Sequence, residues 1–297
     1  MILSKLTTEQ RNEASENLDK KSIEEILKII NDEDKQIAYA IEKELKTISK
    51  VVEKVYQSLS RGGRLFYIGA GTSGRLGVMD SSECVPTFMV PKDMIQTIMA
   101  GGRDAFEHAI EGAEDDEIQG ELDLKERDLT NKDVVMGITA SGRTPYPIGA
   151  LKYAKKIGAY AIALTSNENA KISQVANISI EVVVGPEILT GSTRMKAATS
   201  HKMVLNMIST TVMVRLGKVY ENLMIDVNAN NIKLRERAKH IVMEITEASY
   251  YEAERVLKAA NYKVKIAIVM ILSNLSYEEA VEKVNKNKGH IRGVIEG

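Results

Sequence analysis

The stretch Leu65-Phe-Tyr-Ile-Gly-Ala-Gly-Thr-Ser-Gly-Arg75 decides the fold. Its first four residues form a short apolar run, Gly69 stops that run, and a loop of glycines and hydroxyls follows. A run of this kind reads as a strand buried on both faces. Similar runs recur at 134–138, 159–164 and 178–184, with a weaker one at 95–99. Helical stretches are expected between them, near 73–84, 104–128, 146–157 and 193–216. Strands that alternate with helices build a parallel sheet with crossover helices. The pattern predicts a doubly wound α/β domain around a five-stranded parallel sheet, over residues 55–218.

The flanks read differently. All five prolines lie between Pro86 and Pro186, so the ends suit helices. Residues 1–54 are expected to be a helical segment. Ser22 and Glu25 have capping-box spacing. A longer helix from about Asp34 carries a stripe of Ile37, Ile41, Leu45, Ile48, Val52, Val55 and Leu59, ended by Arg61-Gly-Gly63. Residues 219–297 are expected to form a small helical module with three helices, at 233–247, 250–272 and 277–285.

Composition narrows the function. Lys and Arg number 40 against 41 Asp and Glu, which argues against a broad basic surface for nucleic acid. With no Trp and 5% aromatic residues, a base-stacking platform is not expected. The longest apolar run, Ile266 to Leu272, is far short of a membrane span. The N-terminal MILSKLTTEQRNEAS turns polar too early for a signal peptide. A single cysteine, Cys84, excludes an internal disulfide, and the chain is expected to be cytoplasmic.

Three loops share one chemistry. Gly69–Arg75 follows the first strand, Thr139–Thr144 follows the 134–138 strand, and Gly185–Lys196 follows the 178–184 strand. Each joins glycine, hydroxyls and a cation just before an expected helix. Glycine admits a close backbone approach, hydroxyls and N–H groups donate, and a helix N-terminus favours an anion. One such loop is as easily a simple strand-to-helix turn; three on one sheet point to a phosphate. Gly69, Gly71 and Gly74 have dinucleotide-fingerprint spacing, but no acidic residue ends the next strand near Met99 to read a ribose. No Gly-Lys-Ser/Thr is present either.

GAGTSGR at 69–75 and TASGRT at 139–144 resemble the SIS (sugar isomerase) family, which binds phosphosugars. The longer segments GAGTSGRLGVMDSSECVPTF (69–88), ITASGRTPY (138–146) and GPEILTGSTRMKA (185–197), with LTTEQRN at 6–12, are similar to its etherase branch. Members of that branch remove D-lactate from the 3-position of N-acetylmuramic acid 6-phosphate. The resemblance covers nearly the whole chain. It implies a phosphosugar substrate held by Thr72, Ser73, Thr139, Ser141, Gly142, Arg143, Thr144, Glu187, Ser192, Arg194 and Lys196, and no metal or redox cofactor.

The implied reaction sets further needs. Once the sugar ring opens, the C2 proton is acidic and the C3 oxygen lies β to a carbonyl. Elimination then asks for a base at C2 and an acid on the departing oxygen, and two carboxyl groups in different environments can fill those roles. The resemblance assigns Glu83 as acid and Glu114 as base. Apolar neighbours of Glu83, before a helix stop at Pro86, are expected to raise its pKa. Read without the resemblance, Glu114 in Glu111-Gly-Ala-Glu-Asp-Asp-Glu117 is a solvated acidic helix start. Glu187 has two readings, substrate contact or helix cap. Arg194 and Lys196 can offset substrate charge or sit in ion pairs. His108 and His201 are expected on helices in structural roles, and Cys84 as a buried small side chain.

Two other readings share the fold. An aldose–ketose phosphosugar isomerase also moves a C2 proton but needs no acid for an ether. A non-catalytic sensor, like the regulatory protein of glucokinase, needs neither carboxylate. A DNA-binding regulator would carry a basic recognition helix, and the first 60 residues show none. SIS domains usually pair, so a homodimer is expected, with a site that borrows partner residues, segment 6–12 being the candidate.

Overall fold

Phe66 and Tyr67 face opposite layers of the protein, as successive strand residues must. The structure, a computed structural model, describes residues 6–227 and 231–296; the first five residues of the N-terminal stretch lie outside them. All five residues of β1 (Leu65–Gly69) are buried, as a strand covered on both faces requires. Phe66 and Ile68 join Val135 and Ala161 in a core closed by Leu124, Leu151, Ala154 and Ile172. Those last four come from α5 (Glu117–Lys125), α6 (Pro145–Lys156) and α7 (Lys171–Val175). On the other face, Gly77 of α4 (Gly71–Phe88) lies against Tyr67, and a Cβ there would come within 3.0 Å of the Tyr67 Cβ.

The sheet is wholly parallel, in the order β2 (Ile95–Met99), β1, β3 (Val134–Ile138), β4 (Tyr160–Thr165), β5 (Ile178–Glu181). Before it run α1 (Ile23–Asp34), α2 (Gln36–Glu42) and α3 (Leu45–Leu59), and α8 (Lys196–Arg215) follows it. Both halves of the Ser22–Glu25 capping box form. The chain divides into two compact units, one up to Ser81 with Lys92–Ser209, the other Ser82–Pro91 with Thr210 onward. The second unit contains the hairpin β6 (Val219–Tyr220) and β7 (Leu223–Met224) and helices α9 (Ile232–Thr246), α10 (Tyr250–Ala259), α11 (Val264–Ser273), α12 (Tyr277–Lys286) and α13 (Arg292–Ile295). Its core is built on Ala238, Val242, Leu257, Ala267 and Ile268. Among the described residues no helix is long and apolar enough to cross a membrane.

Four helical expectations need correction. The segment 104–128 is helical only in α5; before it the chain makes short 3-10 turns at Arg103–Phe106 and Ala113–Asp115. Gly101, Gly102 and Gly112 take positive φ and turn the chain there. The helix after Gly69 does not stop at Pro86 but runs through it to Phe88, since one missing N–H is tolerated near a helix end, and Met89 at φ 50° closes it. The long N-terminal helix breaks at Lys43–Glu44, and Leu45 is exposed while Ile48, Val51, Val52, Val55 and Leu59 are buried. The 250–272 helix is two, parted by Asn261 and Tyr262 in left-handed conformations.

Candidate active site

Register brings the candidate loops together. Gly69 of β1 pairs with Ile138 of β3, and Ile138 with Leu164 of β4, so three chain segments leave the sheet side by side. β1 and β3 flank the point where the strand order reverses, the usual ligand crevice of an open parallel sheet.

The loop after β3 is a cluster of hydroxyls. Thr139 Oγ1 lies 2.8 Å from Thr144 Oγ1 and 3.3 Å from Ser141 Oγ. Ser141 Oγ also accepts from the Arg143 N–H at 3.2 Å. Thr144 is the N-cap of α6 with Pro145 behind it, and its side chain makes no cap bond, so it faces its neighbours instead. Gly142 stands at φ +69°, and a Cβ there would come within 2.3 Å of the Ala170 Cβ. The tight turn that gathers these hydroxyls therefore requires glycine. Three hydroxyls at the start of a twelve-residue helix form a ready cradle for a phosphate.

A fourth segment, Thr165-Ser166-Asn167 after β4, belongs to the same cluster and escaped the sequence reading. The Ser166 N–H and the Asn167 Nδ2 both donate to the Ala140 carbonyl, at 3.1 and 3.0 Å. Asn167 Nδ2 also donates to Thr8 Oγ1 at 3.2 Å, while its Oδ1 accepts from the Thr7 N–H at 2.8 Å. Segment 6–12 thus docks on its own chain. Ser166 Oγ lies 3.1 Å from Nε2 of His201, which is buried on α8. Burial pushes the His201 pKa down to about 4, against the raising effect of a hydrogen bond with the Thr165 backbone. The signal was legible: a hydroxyl-and-amide run directly after a strand, hidden only by its lack of glycine.

The β1 loop faces a different wall. Thr72 and Ser73 stand half-buried in the first turn of α4. Arg75 is turned to the neighbouring loop, donating from Nε to the Phe106 carbonyl at 2.8 Å and from Nη2 to the Ala105 carbonyl at 2.9 Å. That clamp holds the 103–114 segment over the loop. Between them lies a cavity of about 330 Å³ whose walls include Gly71, Met99, His108, Glu111 and Glu114. Glu114 is exposed, in the 3-10 turn that follows Gly112 at φ +74°. His108, expected on a helix, is an exposed loop residue on the same wall.

Glu83 is not on that wall. It lies twelve residues beyond Gly71 on α4, roughly 18 Å along a helix rising 1.5 Å per residue, and it is exposed. Its neighbour Cys84 is buried.

The third loop is locked to its own scaffold. Glu187 is fully buried, and its two oxygens accept from the Lys196 and Ala197 N–H groups, each at 2.9 Å, so it caps α8. The Lys196 ammonium, also buried, pairs with Glu33 of α1. Burial works to raise the Glu33 pKa, but the Lys196 ammonium and the Asn12 amide outweigh it and hold the carboxyl below its usual range. Asn12 also donates to the Pro186 carbonyl at 3.1 Å, and Ser15 to that of Ile188 at 2.7 Å. Ser192 is half-buried and Arg194 exposed on the outer turn. Beneath the sheet, buried Asp80 accepts from Tyr67 Oη at 2.9 Å, Asn206 Nδ2 at 2.8 Å and Ser209 Oγ at 3.0 Å. Burial raises its pKa against the pull of those donors.

Known proteins match this arrangement over different lengths. Residues 47–155 match the glucokinase regulatory protein N-terminal SIS domain, and residues 116–211 match the SIS domain. An N-acetylmuramic acid 6-phosphate etherase of Geobacillus sp. (strain WCH70) is 54% identical over 295 residues, covering 99% of this chain and 100% of its own. The protein of that name in Bacillus subtilis (strain 168) is 54% identical over 294 residues, covering 99% of this chain and 97% of its own. Among solved structures, a protein of E. coli CFT073, solved as a complex, superimposes with a TM-score of 0.50 at 16% identity, over 68% of this chain and 97% of its own, which speaks to the fold alone.

Proposed function

The chain belongs to the N-acetylmuramic acid 6-phosphate etherase family, and from that membership we propose that it converts N-acetylmuramic acid 6-phosphate to N-acetylglucosamine 6-phosphate and D-lactate. It is a carbon–oxygen lyase of amino-sugar metabolism, acting in the cytoplasm. The 6-phosphate sits in the hydroxyl cradle of Thr139, Ser141 and Thr144, with the Gly142 and Arg143 backbone, and Thr72 and Ser73 face it from α4. Ser192 and Arg194 meet the lactyl end.

The sugar ring opens to expose the C1 aldehyde. Glu114 takes the C2 proton, the C3–O bond breaks with its electron pair leaving on the lactyl oxygen, and Glu83 supplies the proton that oxygen needs. D-Lactate departs and an unsaturated aldehyde remains. Water adds at C3, and C2 regains a proton from Glu114. What carries this reading is the position of Glu114, on the wall of a cavity it shares with the first turn of α4.

Glu83 acts in the site of a second copy of the chain. Its place twelve residues beyond Gly71 on α4 supports this reading, with a homodimer bringing it to the partner's first loop. Exposed Ile23, Leu27, Tyr39 and Leu45 on the N-terminal helices suit burial against another copy.

Two experiments test this. Incubation with N-acetylmuramic acid 6-phosphate in water labelled with heavy oxygen should release D-lactate and leave the label on the sugar C3 hydroxyl. Label in the lactate would overturn elimination. Mixing Glu83→Ala chains with Glu114→Ala chains, each inactive alone, should restore about a quarter of wild-type activity, because half the dimers carry one intact site. No restoration on mixing would place both carboxylates in one chain.

A further inference from the structure

The second unit holds a pocket that the etherase reaction does not use. It measures about 810 Å³, within the range of small-molecule sites. Apolar side chains such as Val264, Ile266, Val281 and Val284 line part of it. The charged residues on its walls are Lys218, Arg235, Lys263 and Lys265 against Asp226.

Two ammonium groups converge on one carboxylate oxygen. Lys218 Nζ lies 2.9 Å and Lys265 Nζ 2.8 Å from Asp226 Oδ2. Lys265 is buried, and Lys218 and Asp226 are half-buried. Among the described residues Asp226 is the one acidic partner of both lysines, so the cluster keeps a positive charge in a poorly hydrated place. Such a charge is unfavourable unless an anion answers it. Burial lowers the Lys265 pKa even with Asp226 beside it, the mark of that imbalance. The other two cations lie at the edge, Arg235 over the Tyr262 ring and Lys263 donating to Tyr277 Oη at 2.9 Å. The backbone packs closely beside the cluster: a Cβ at Gly217 would come within 2.8 Å of the Gly289 carbonyl.

We propose that this pocket binds a small organic oxyanion with an apolar body, its charged head between Lys218 and Lys265 and its body on Val281 and Val284. The pocket shares no lining residue with the Thr139–Thr144 turn and takes an effector, not the substrate.

The test uses the full chain and the fluorescent sulfonate 1-anilinonaphthalene-8-sulfonate. It should bind saturably, one molecule per chain. Lys218→Met should weaken binding about 10-fold, the scale of one hydrogen bond to a charged group. Asp226→Asn, which removes the competing carboxylate, should tighten it. Circular dichroism confirms that each variant is folded, and if Asp226→Asn does not fold, Lys218→Met alone decides. Affinity unchanged in Lys218→Met, or no saturable binding to the wild type, would overturn the proposal.

Discussion

Asn167 Nδ2 donates to the Ala140 carbonyl at 3.0 Å and so braces, from behind, the turn that carries Ser141. The same amide group holds Thr8 of the N-terminal segment. The phosphate site proposed for this turn needs hydroxyls fixed before the ligand arrives, and this one side chain ties the turn to two parts of the scaffold.

Asn167→Ala should therefore loosen the cradle without touching substrate. Affinity for N-acetylglucosamine 6-phosphate should fall about 5–10-fold, the loss of roughly one hydrogen bond's worth of ordering. Calorimetric titration reads this directly, and an unaltered Kd would mean the turn is rigid on its own.

Ser141→Ala removes a donor from the cradle itself. Binding of the same sugar phosphate should weaken by about 1–2 kcal/mol, the scale for a hydrogen bond to a charged group. Equal affinity in the two proteins would take Ser141 out of the phosphate site.

Glu187→Gln tests the helix cap. The amide oxygen can answer one of the two buried N–H groups at Lys196 and Ala197, and the other is left without an acceptor. Stability should fall by about 1–3 kcal/mol, seen as a lower midpoint in urea. A variant as stable as the wild type would mean that water reaches the end of α8.

His201 sets an acid limit. Its folded pKa, about 4, lies below the ordinary 6.5, so the unfolded chain binds a proton before the folded one does. Stability from this group is full above pH 6.5 and is lost as pH falls toward 4, on the order of 3 kcal/mol in all. His201→Gln should flatten that part of the stability-versus-pH curve, measured by thermal melts between pH 7 and 4. A variant curve parallel to the wild type would show that His201 does not carry the loss.

The sheet was legible because its strands are covered on both faces. Leu65–Ile68 and Val134–Ile138 are continuous apolar runs that no surface strand would carry. The hydroxyl-rich turn at Thr139–Thr144 was legible for a related reason, since glycine and hydroxyls gathered before a helix mark a tight turn. The 104–128 segment misled because its scattered Ile110, Ile118 and Leu122 imitate a helical stripe, yet all three are exposed. The break at Asn261–Tyr262 carries no glycine to announce it. Glu187 and Lys196 had the composition of a binding loop, and only three-dimensional partners distant in sequence, such as Glu33, show that they hold the scaffold.

The N-terminal clamp fixes an order of events. Thr7 and Asn12 meet partners 160 and 174 positions later in the chain, at Asn167 and Pro186. A growing polypeptide makes its first residues first and fastens them last: the grip of segment 6–33 is complete only once the ribosome has passed Lys196. Thr7 and Thr8 wait for Asn167, Asn12 for Pro186 and Glu33 for Lys196, and contacts of such long separation form slowly. A chain cut short before α8 would hold Asn167 and Pro186 but leave Glu33 without the Lys196 ammonium.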